Sequence, residues 1–346
     1  ATICKTIMAA GVVEYEQENV LKNLQDNIQL VSQQIKNGET RNVDSVNFDK
    51  EDYWNKVAAI FKILSIETTK ISLAFSKKPF PSSKNTEAMV NELEKSILAL
   101  VSAYYSLPLS QGATLHIYLQ QTVLQILDNL QGFTASLSEC ILSESHQGRL
   151  LWTGGIWETV DFTLIRDNKN CTMKKLKETF DLVQDALGEM EEAIENDGQV
   201  DDFMLDVDKS NADLWSEQDK QVVVSCTGVV KTVKNVLKKV QECLHKHGQT
   251  ETPEGIAVLD ELVDVISGVN KKVDDFVCVI YAPVNYKILV QNGKVMSELT
   301  DQILKFLRDS TLTCDDDQKW LDFLSHANTH NMEKLKNIVH TNQEEG

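Results

Sequence analysis

Apolar residues recur three and four positions apart over long tracts of this chain, the spacing that lines one face of an α-helix. Met173, Leu176, Phe180, Val183, Leu187, Met190 and Ile194 hold that spacing without a gap, and Cys226, Val229, Val233, Val236, Val240 and Cys243 resume it. Between the two runs, 195–213 carries seven acids, one base and no helical stripe. The chain therefore centres on a helix, an acidic break and a helix, spanning Cys171 to Cys243.

The remaining stripes predict further helices. Leu21, Leu24, Ile28, Val31 and Ile35 mark a first helix from about Val12 to Lys36, closed by Asn37-Gly38 as a C-terminal glycine should close it. Trp54, Val57, Phe61, Leu64, Thr68, Ile71 and Phe75 mark a second, from about Phe48, with Lys77 and Lys78 expected in its last turn and Pro79 and Pro81 barring its continuation. A third starts at the caps Ser82-Ser83, carries Leu93, Ile97, Leu100 and Tyr104, and stops at Leu107-Pro108. A fourth runs from Leu115 to Ile141, with Gly132 as a possible weak point. The fifth, about Arg149 to Arg166, contains Gly154-Gly155, which predicts a kink or a close helix crossing.

Past the acidic break, Ser216-Glu-Gln-Asp219 reads as a capping box opening a helix that ends at Lys246-His247-Gly248. Thr252-Pro253-Glu254 opens the next, with Leu259, Val263, Ile266, Val273, Val277 and Ile280 on its stripe and Asn270 on the same seam. Ile288, Val295, Leu299, Ile303 and Phe306 carry another helix. Trp320, Leu324, Ala327, Leu335 and Ile338 carry the last, after Asp315-Asp-Asp317. About ten long helices joined by short turns predict an all-α protein of two up-and-down antiparallel bundles, of the vinculin/α-catenin type. The expected division is 12–167 and 168–346, the second bundle holding the acidic loop 197–215.

Composition narrows the function. Thirty-four bases against 52 acids give a net charge of −18, which repels phosphate backbones and anionic bilayers, so neither direct nucleic-acid binding nor membrane binding is expected. A run of about 18 uncharged apolar residues, the minimum for a transmembrane helix, does not occur. Seven cysteines, none in a Cys-x-x-Cys pair, read as reduced core residues of a cytoplasmic or nuclear protein. Residues 1–13 make a poor signal peptide, because Glu14, Glu16 and Glu18 follow at once, and Met8 is a candidate start.

The search for chemistry predicts no catalytic residue, cofactor or metal. Gly154-Gly155 lacks the lysine and hydroxyl of a phosphate loop. His245-Lys-His247 sits at a helix end with no thiol or carboxylate partner in spacing, and His326 and His330 share a face with no matching pair. Glu189, Glu191, Glu192 and Glu195 read as a solvated face. Phe203, Met204 and Leu205, flanked by aspartates, are the candidate partner-binding residues; the equal alternative is that they tuck back onto a bundle. Ser216 and Ser210, each three residues before an aspartate, are candidate phosphorylation sites, although Ser216 reads more economically as a helix cap.

An ordered set of stretches carries a resemblance: Phe75-Ser-Lys-Lys-Pro-Phe-Pro-Ser82, Tyr104-Tyr-Ser-Leu-Pro-Leu-Ser-Gln-Gly-Ala-Thr-Leu115, Arg166-Asp-Asn-Lys169, Glu189-Met-Glu-Glu-Ala193, Leu214-Trp-Ser-Glu-Gln-Asp219 and Val273-Asp-Asp-Phe276 running on to Tyr281-Ala-Pro283. Together, over roughly residues 50 to 290, they resemble the cyclin-D-binding protein family, the Grap- and cyclin-D-interacting proteins. The ends match less well, and the acidic break is shorter than the family's. The resemblance implies a non-enzymatic, all-helical regulator that binds D-type cyclins and signalling adaptors. It implies lowered cyclin-D-dependent kinase phosphorylation of the retinoblastoma protein and a restrained cell cycle. It also implies inhibition of helix-loop-helix transcription factors, with Cys171 to Cys243 as the helix-loop-helix. Lys169, Lys174, Lys175 and Lys177 are too few for a basic region, so the two helices are expected to pack within their own bundle. The bundle pattern fits equally a vinculin- or talin-like scaffold that accepts amphipathic helices of adhesion or signalling partners, and it leaves room for a homo-oligomer.

Overall fold

Polar caps set where the helices begin. Asp49 accepts the Asp52 amide at 3.0 Å, so α2 (Lys50–Ala74) starts there. Ser82 accepts from Asn85 before α3 (Ser83–Ser106), and Asp167 from Asn170 before α6 (Asn168–Glu195). Each cap satisfies an amide that the first turn leaves without a partner. At the other end, Gly38 takes a φ of 69° after α1 (Thr2–Lys36), the left-handed stop that its Asn-Gly pair predicts.

The computed structural model describes residues 2–38, 48–143, 147–161, 164–196 and 215–344, the side chains of 2–15, 143, 161 and 342–344 excepted. The chain is all-α, with no strand among the described residues. It divides into two compact units, Ala1–Arg166 and Asp167–Gly346.

Unit 1 holds α1 to α3, α4 (Ala113–Ser143) and α5 (Gln147–Asp161). They close a ring in the order α1, α4, α5, α2, α3 and back to α1. Its core is built on large side chains: Trp54, Phe75 and Phe133 are fully enclosed among leucines and isoleucines. The expected fifth helix ends at Asp161 rather than Arg166, and Leu164 to Arg166 are non-helical. Helix α5 continues through Gly154-Gly155, and Gly155 of the pair lies at a close crossing, where an added Cβ would meet Asn129 of α4 at 3.3 Å. Lys77 and Lys78 do not lie in the last turn of α2: Phe75, whose amide bonds back to Ile71 and Leu73, caps the helix two residues earlier. Helix α4 continues through Gly132. The Trp152 indole of α5 fills the space where a Gly132 Cβ would stand.

Unit 2 holds α6, α7 (Glu217–His247), α8 (Pro253–Ile266), α9 (Val269–Val277), α10 (Tyr286–Asp309) and α11 (Gln318–Glu344). They run α6, α7, α11, α10, then α8 and α9, and back to α6, with α10 also touching α7. Helix α7 is the spine. Val222, Val223, Val229, Val230, Val233, Val236 and Val240 are all buried on it, a β-branched run that tertiary packing holds helical against a weak local preference. Two expectations shift here. The helix expected over 253–280 is two, broken at Ser267-Gly268, and Asn270 falls on α9 with its Oδ1 buried and without a hydrogen-bond partner. The buried stripe of α10 is Leu289, Gly293, Met296, Thr300, Ile303, Leu304 and Leu307: Ile303 is buried as predicted, but the stripe centres one step round from Val295, Leu299 and Phe306, which are half-buried, and Ile288 is exposed. Gly293 explains that rotation: Phe276 of α9 and Met332 and Leu335 of α11 close to 3.1–3.3 Å of where its Cβ would be, so only the glycine side can face them.

One polar contact recurs across these helix pairs. An asparagine amide donates both to a backbone carbonyl and to the side-chain oxygen one turn later on the neighbouring helix. Asn129 does so to Gly155 (3.1 Å) and Thr159 (3.1 Å), and Asn331 to Gly228 (3.0 Å) and Thr232 (2.9 Å). Asn328 reaches Ser297 (2.9 Å) and Asp301 (2.9 Å), and Asn168 reaches Ile256 (3.5 Å) and Asp260 (2.9 Å). Both N–H bonds of one amide are thereby used on a single helix face, which fixes the register of the pair.

Candidate functional site

The acidic break joins α6 to α7, and the candidate residues Phe203, Met204, Leu205 and Ser210 lie outside the described residues. Its exit is described. Trp215 is buried, and its indole N–H donates to the Ile280 carbonyl at 2.8 Å. Ser216 caps α7 in a full capping box: its Oγ accepts the Asp219 amide at 3.1 Å, and Asp219 Oδ2 accepts the Ser216 amide (2.9 Å) and hydroxyl (2.7 Å). Asp219 Oδ1 accepts the Tyr286 hydroxyl at 2.7 Å, tying the box to the first turn of α10. Ser216 is exposed. A phosphate on its Oγ would face the Asp219 carboxylate across that 2.7 Å contact, setting like charges together where the box now has a hydrogen bond.

The second feature is an apolar edge on unit 1. Arg149 and Trp157 of α5 face α2. The buried Arg149 guanidinium donates to the Ser72 carbonyl and hydroxyl, and the Trp157 indole N–H donates to Thr69 Oγ1 at 2.9 Å. Leu150 and Gly154 share the Trp157 flank of α5 by helical spacing, and Ile66 and Leu73 share the Thr69 flank of α2. Leu73 is 67% exposed, Leu150 60% and Trp157 42%. An added Cβ at Gly154 meets nothing within 4 Å, so the edge is open there. These residues join two helices yet leave much apolar surface in water, the kind of patch that marks a partner's seat. The stripe pattern could not show this, because the apolar residues of α5 surround the helix and point to no single side.

The titratable groups are distributed differently. His326 and His330 are exposed, as are Glu189, Glu191, Glu192 and Glu195. Cys140, Cys171, Cys226 and Cys243 are buried, and burial pushes each thiol up, Cys171 to about 12 and Cys243 to about 11. His245 stays exposed on the last turn of α7, but His247 turns inward and meets a thiol and a carboxylate, Cys314 and Asp317, that sequence spacing does not bring to it.

Comparison with known proteins follows this outline. Residues 56–196 match the N-terminal profile of the Grap2 and cyclin-D-interacting proteins, and 194–307 match the C-terminal one. A relative from Xenopus laevis, cyclin-D1-binding protein 1 homolog, is 33% identical over 331 residues, 92% of this chain and 98% of its own length. The chain belongs to the Grap2 and cyclin-D-interacting family. Further members are the Danio rerio homolog, 31% identical over 92% of this chain and 95% of its own, and Homo sapiens cyclin-D1-binding protein 1, 24% identical over 94% of both. The two family profiles meet at the end of α6, whereas packing divides the chain at Arg166, so α6 belongs to the first profile and to the second packed unit.

The stretch Cys171 to Cys243, which the family resemblance would make a helix-loop-helix, falls on α6 and α7. The stripes of these two helices face each other inside unit 2. Leu176, Val183, Leu187 and Met190 of α6 are buried in one cluster with Val229, Val233, Val236 and Val240 of α7, and the Lys231–Glu191 ion pair at 2.8 Å bridges the rim. The apolar faces that a dimerising helix-loop-helix would offer a partner are consumed within the unit.

Proposed function

We propose that this chain is a non-enzymatic regulatory protein that binds a D-type cyclin and thereby lowers cyclin-D-dependent kinase phosphorylation of the retinoblastoma protein, in cytoplasm and nucleus. One observation carries the reading: over nearly its whole length the chain is related to proteins named for binding cyclin D1. The α2–α5 edge is the seat we assign to the cyclin. It is apolar and open beside Gly154, and it consists of side chains the core does not use. Helix-loop-helix factors would need a surface other than the α6–α7 stripes, which the core of unit 2 occupies.

The test is binding of the full chain to immobilised cyclin D, paired with a kinase assay on a retinoblastoma fragment. Wild type binds at micromolar or tighter Kd and slows the kinase. Leu73→Asp and Leu150→Asp each weaken binding about tenfold or more while the melting temperature holds, since exposed substitutions seldom change stability by more than about 0.5 kcal/mol. Wild type failing to bind would remove the proposal. Both variants binding normally, with loss only when 198–213 is deleted, would move the seat to the acidic segment.

A further inference from the structure

His247 closes α7, and Cys314 to Asp317 form the single turn that leads into α11, which packs against α7. One ligand atom from each of His247, Cys314 and Asp317 lies within 4.8 Å of the other two. The imidazole Nε2 of His247 is buried and has no hydrogen-bond partner. A buried polar nitrogen left unpaired is destabilising, so its place in the fold calls for a ligand. The neighbours are chemically suited. Cys314 Sγ–H donates to Asp317 Oδ2 at 3.3 Å, which already sets the thiol beside a carboxylate, and Asp317 Oδ1 is oriented by the Trp320 indole N–H at 2.8 Å. The Cys314 amide also donates to Asp317 Oδ2 at 3.0 Å, fixing the carboxylate beside the thiol.

We propose that His247, Cys314 and Asp317 form a zinc site that clips the end of α7 to the turn before α11. Thiolate, imidazole and carboxylate together favour Zn²⁺ over Mg²⁺ or Ca²⁺, which take oxygen ligands. A tetrahedral ion about 2.0–2.3 Å from each atom sets them roughly 3.3–3.8 Å apart, a small closure of the present cluster. The fourth position belongs to water on the exposed Cys314 side. Binding replaces the Cys314 S–H···O bond by S–Zn and O–Zn bonds and releases the thiol proton to solvent. One thiolate, one carboxylate and Zn²⁺ then sum to zero charge. The sequence hides this site because its first ligand lies far from the other two along the chain.

The test titrates the full chain, stripped with a chelator, with Zn²⁺ against a chromophoric competitor, and with Co²⁺ as a spectroscopic probe. The expected result is one equivalent bound at micromolar or tighter Kd, with a sulfur-to-cobalt charge-transfer band. Cys314→Ser removes that band, and Cys314→Ser and His247→Gln each weaken binding about tenfold or more. Cys278→Ser, altering the other exposed thiol among the described residues, leaves binding unchanged. In the unaltered chain, Zn²⁺ should slow alkylation of Cys314 about tenfold or more and leave Cys278 as it was. No zinc bound at about 100 μM, a value well above the affinity of functional sites, overturns the site. So does undiminished binding by Cys314→Ser, or equal alkylation of Cys314 with and without the metal.

Discussion

At the α4–α5 crossing of unit 1, Asn129 grips Gly155 and Thr159; at the α7–α11 crossing of unit 2, Asn331 grips Gly228 and Thr232. The motif gripped is the same, Gly-x-x-x-Thr, and in both cases the threonine hydroxyl also bonds back to the glycine carbonyl. The settings differ. Helix α7 presents a long apolar stripe, so Asn331 adds one anchor to a seam already defined by side-chain packing. Helix α5 is 15 residues long, with leucines and a tryptophan turned outward as well as inward. Apolar burial alone leaves its rotation poorly determined. Asn129–Gly155, Thr153–Ser72 (3.0 Å) and Trp157–Thr69 determine it instead. Where a stripe is weak, hydrogen bonds choose which apolar residues stay outside, and on α5 they choose the edge assigned to the cyclin.

The largest break in that comparison should come from Gly132→Ala. Its methyl group would enter the Trp152 indole, a rigid group held by the same crossing. Overpacking of this kind costs about 1–3 kcal/mol, and the rigidity of the ring puts this case near the top. Hydrogen exchange should speed up along α4 and α5 and stay unchanged along α7 and α11. A wild-type melting curve for Gly132→Ala would mean that the α4–α5 crossing can yield, and the contrast with α7 would fail.

Removing the asparagines comes next. Asn129 is 6% exposed and also receives Gln125 at 3.4 Å, whereas Asn331 is half-buried. Asn129→Ala removes a buried amide that bonds on both its nitrogen and its oxygen and should cost about 2 kcal/mol; the half-buried Asn331→Ala should cost about 1 kcal/mol. Urea midpoints of the two variants test the order. An equal or larger loss for Asn331→Ala would show that the stripe of α7 depends on its polar anchor as much as α5 does.

Local chemistry was readable beforehand and long-range chemistry was not. Asn37-Gly38 and Ser216-x-x-Asp219 act on their own helix ends, so a few neighbouring residues suffice to predict the stop and the capping box. The stripe of α10 was read one step off at every position but Ile303, because two sets of residues on that helix both keep helical spacing. What decides between them is Gly293 against Phe276, Met332 and Leu335, contacts made from other helices. Nothing near Arg149 in sequence signals its burial, which Ser72 on α2 makes possible by accepting from the guanidinium. His247 gave half of its signal, a histidine at a helix end, while its thiol and carboxylate arrive from the far side of the unit. Stripes record which helices exist; glycines, asparagines and buried charges record how they cross, and their partners are remote in sequence.

The smallest effect separates two adjacent glycines. At Gly155 an added Cβ would meet Asn129 Oδ1 at 3.3 Å, whereas at Gly154 it meets nothing within 4 Å. Gly154→Ala should therefore stabilise unit 1 by about 0.5–1 kcal/mol, the usual gain from replacing an unconstrained helical glycine, while Gly155→Ala should not. The pair also probes the proposed edge. If a cyclin helix lies over Gly154, the added methyl raises the melting temperature and weakens cyclin binding in the same variant. If Gly154→Ala stabilises the protein and leaves cyclin affinity intact, the cyclin does not approach α5 at that point, and the open flank between Leu150 and Trp157 is no part of its seat.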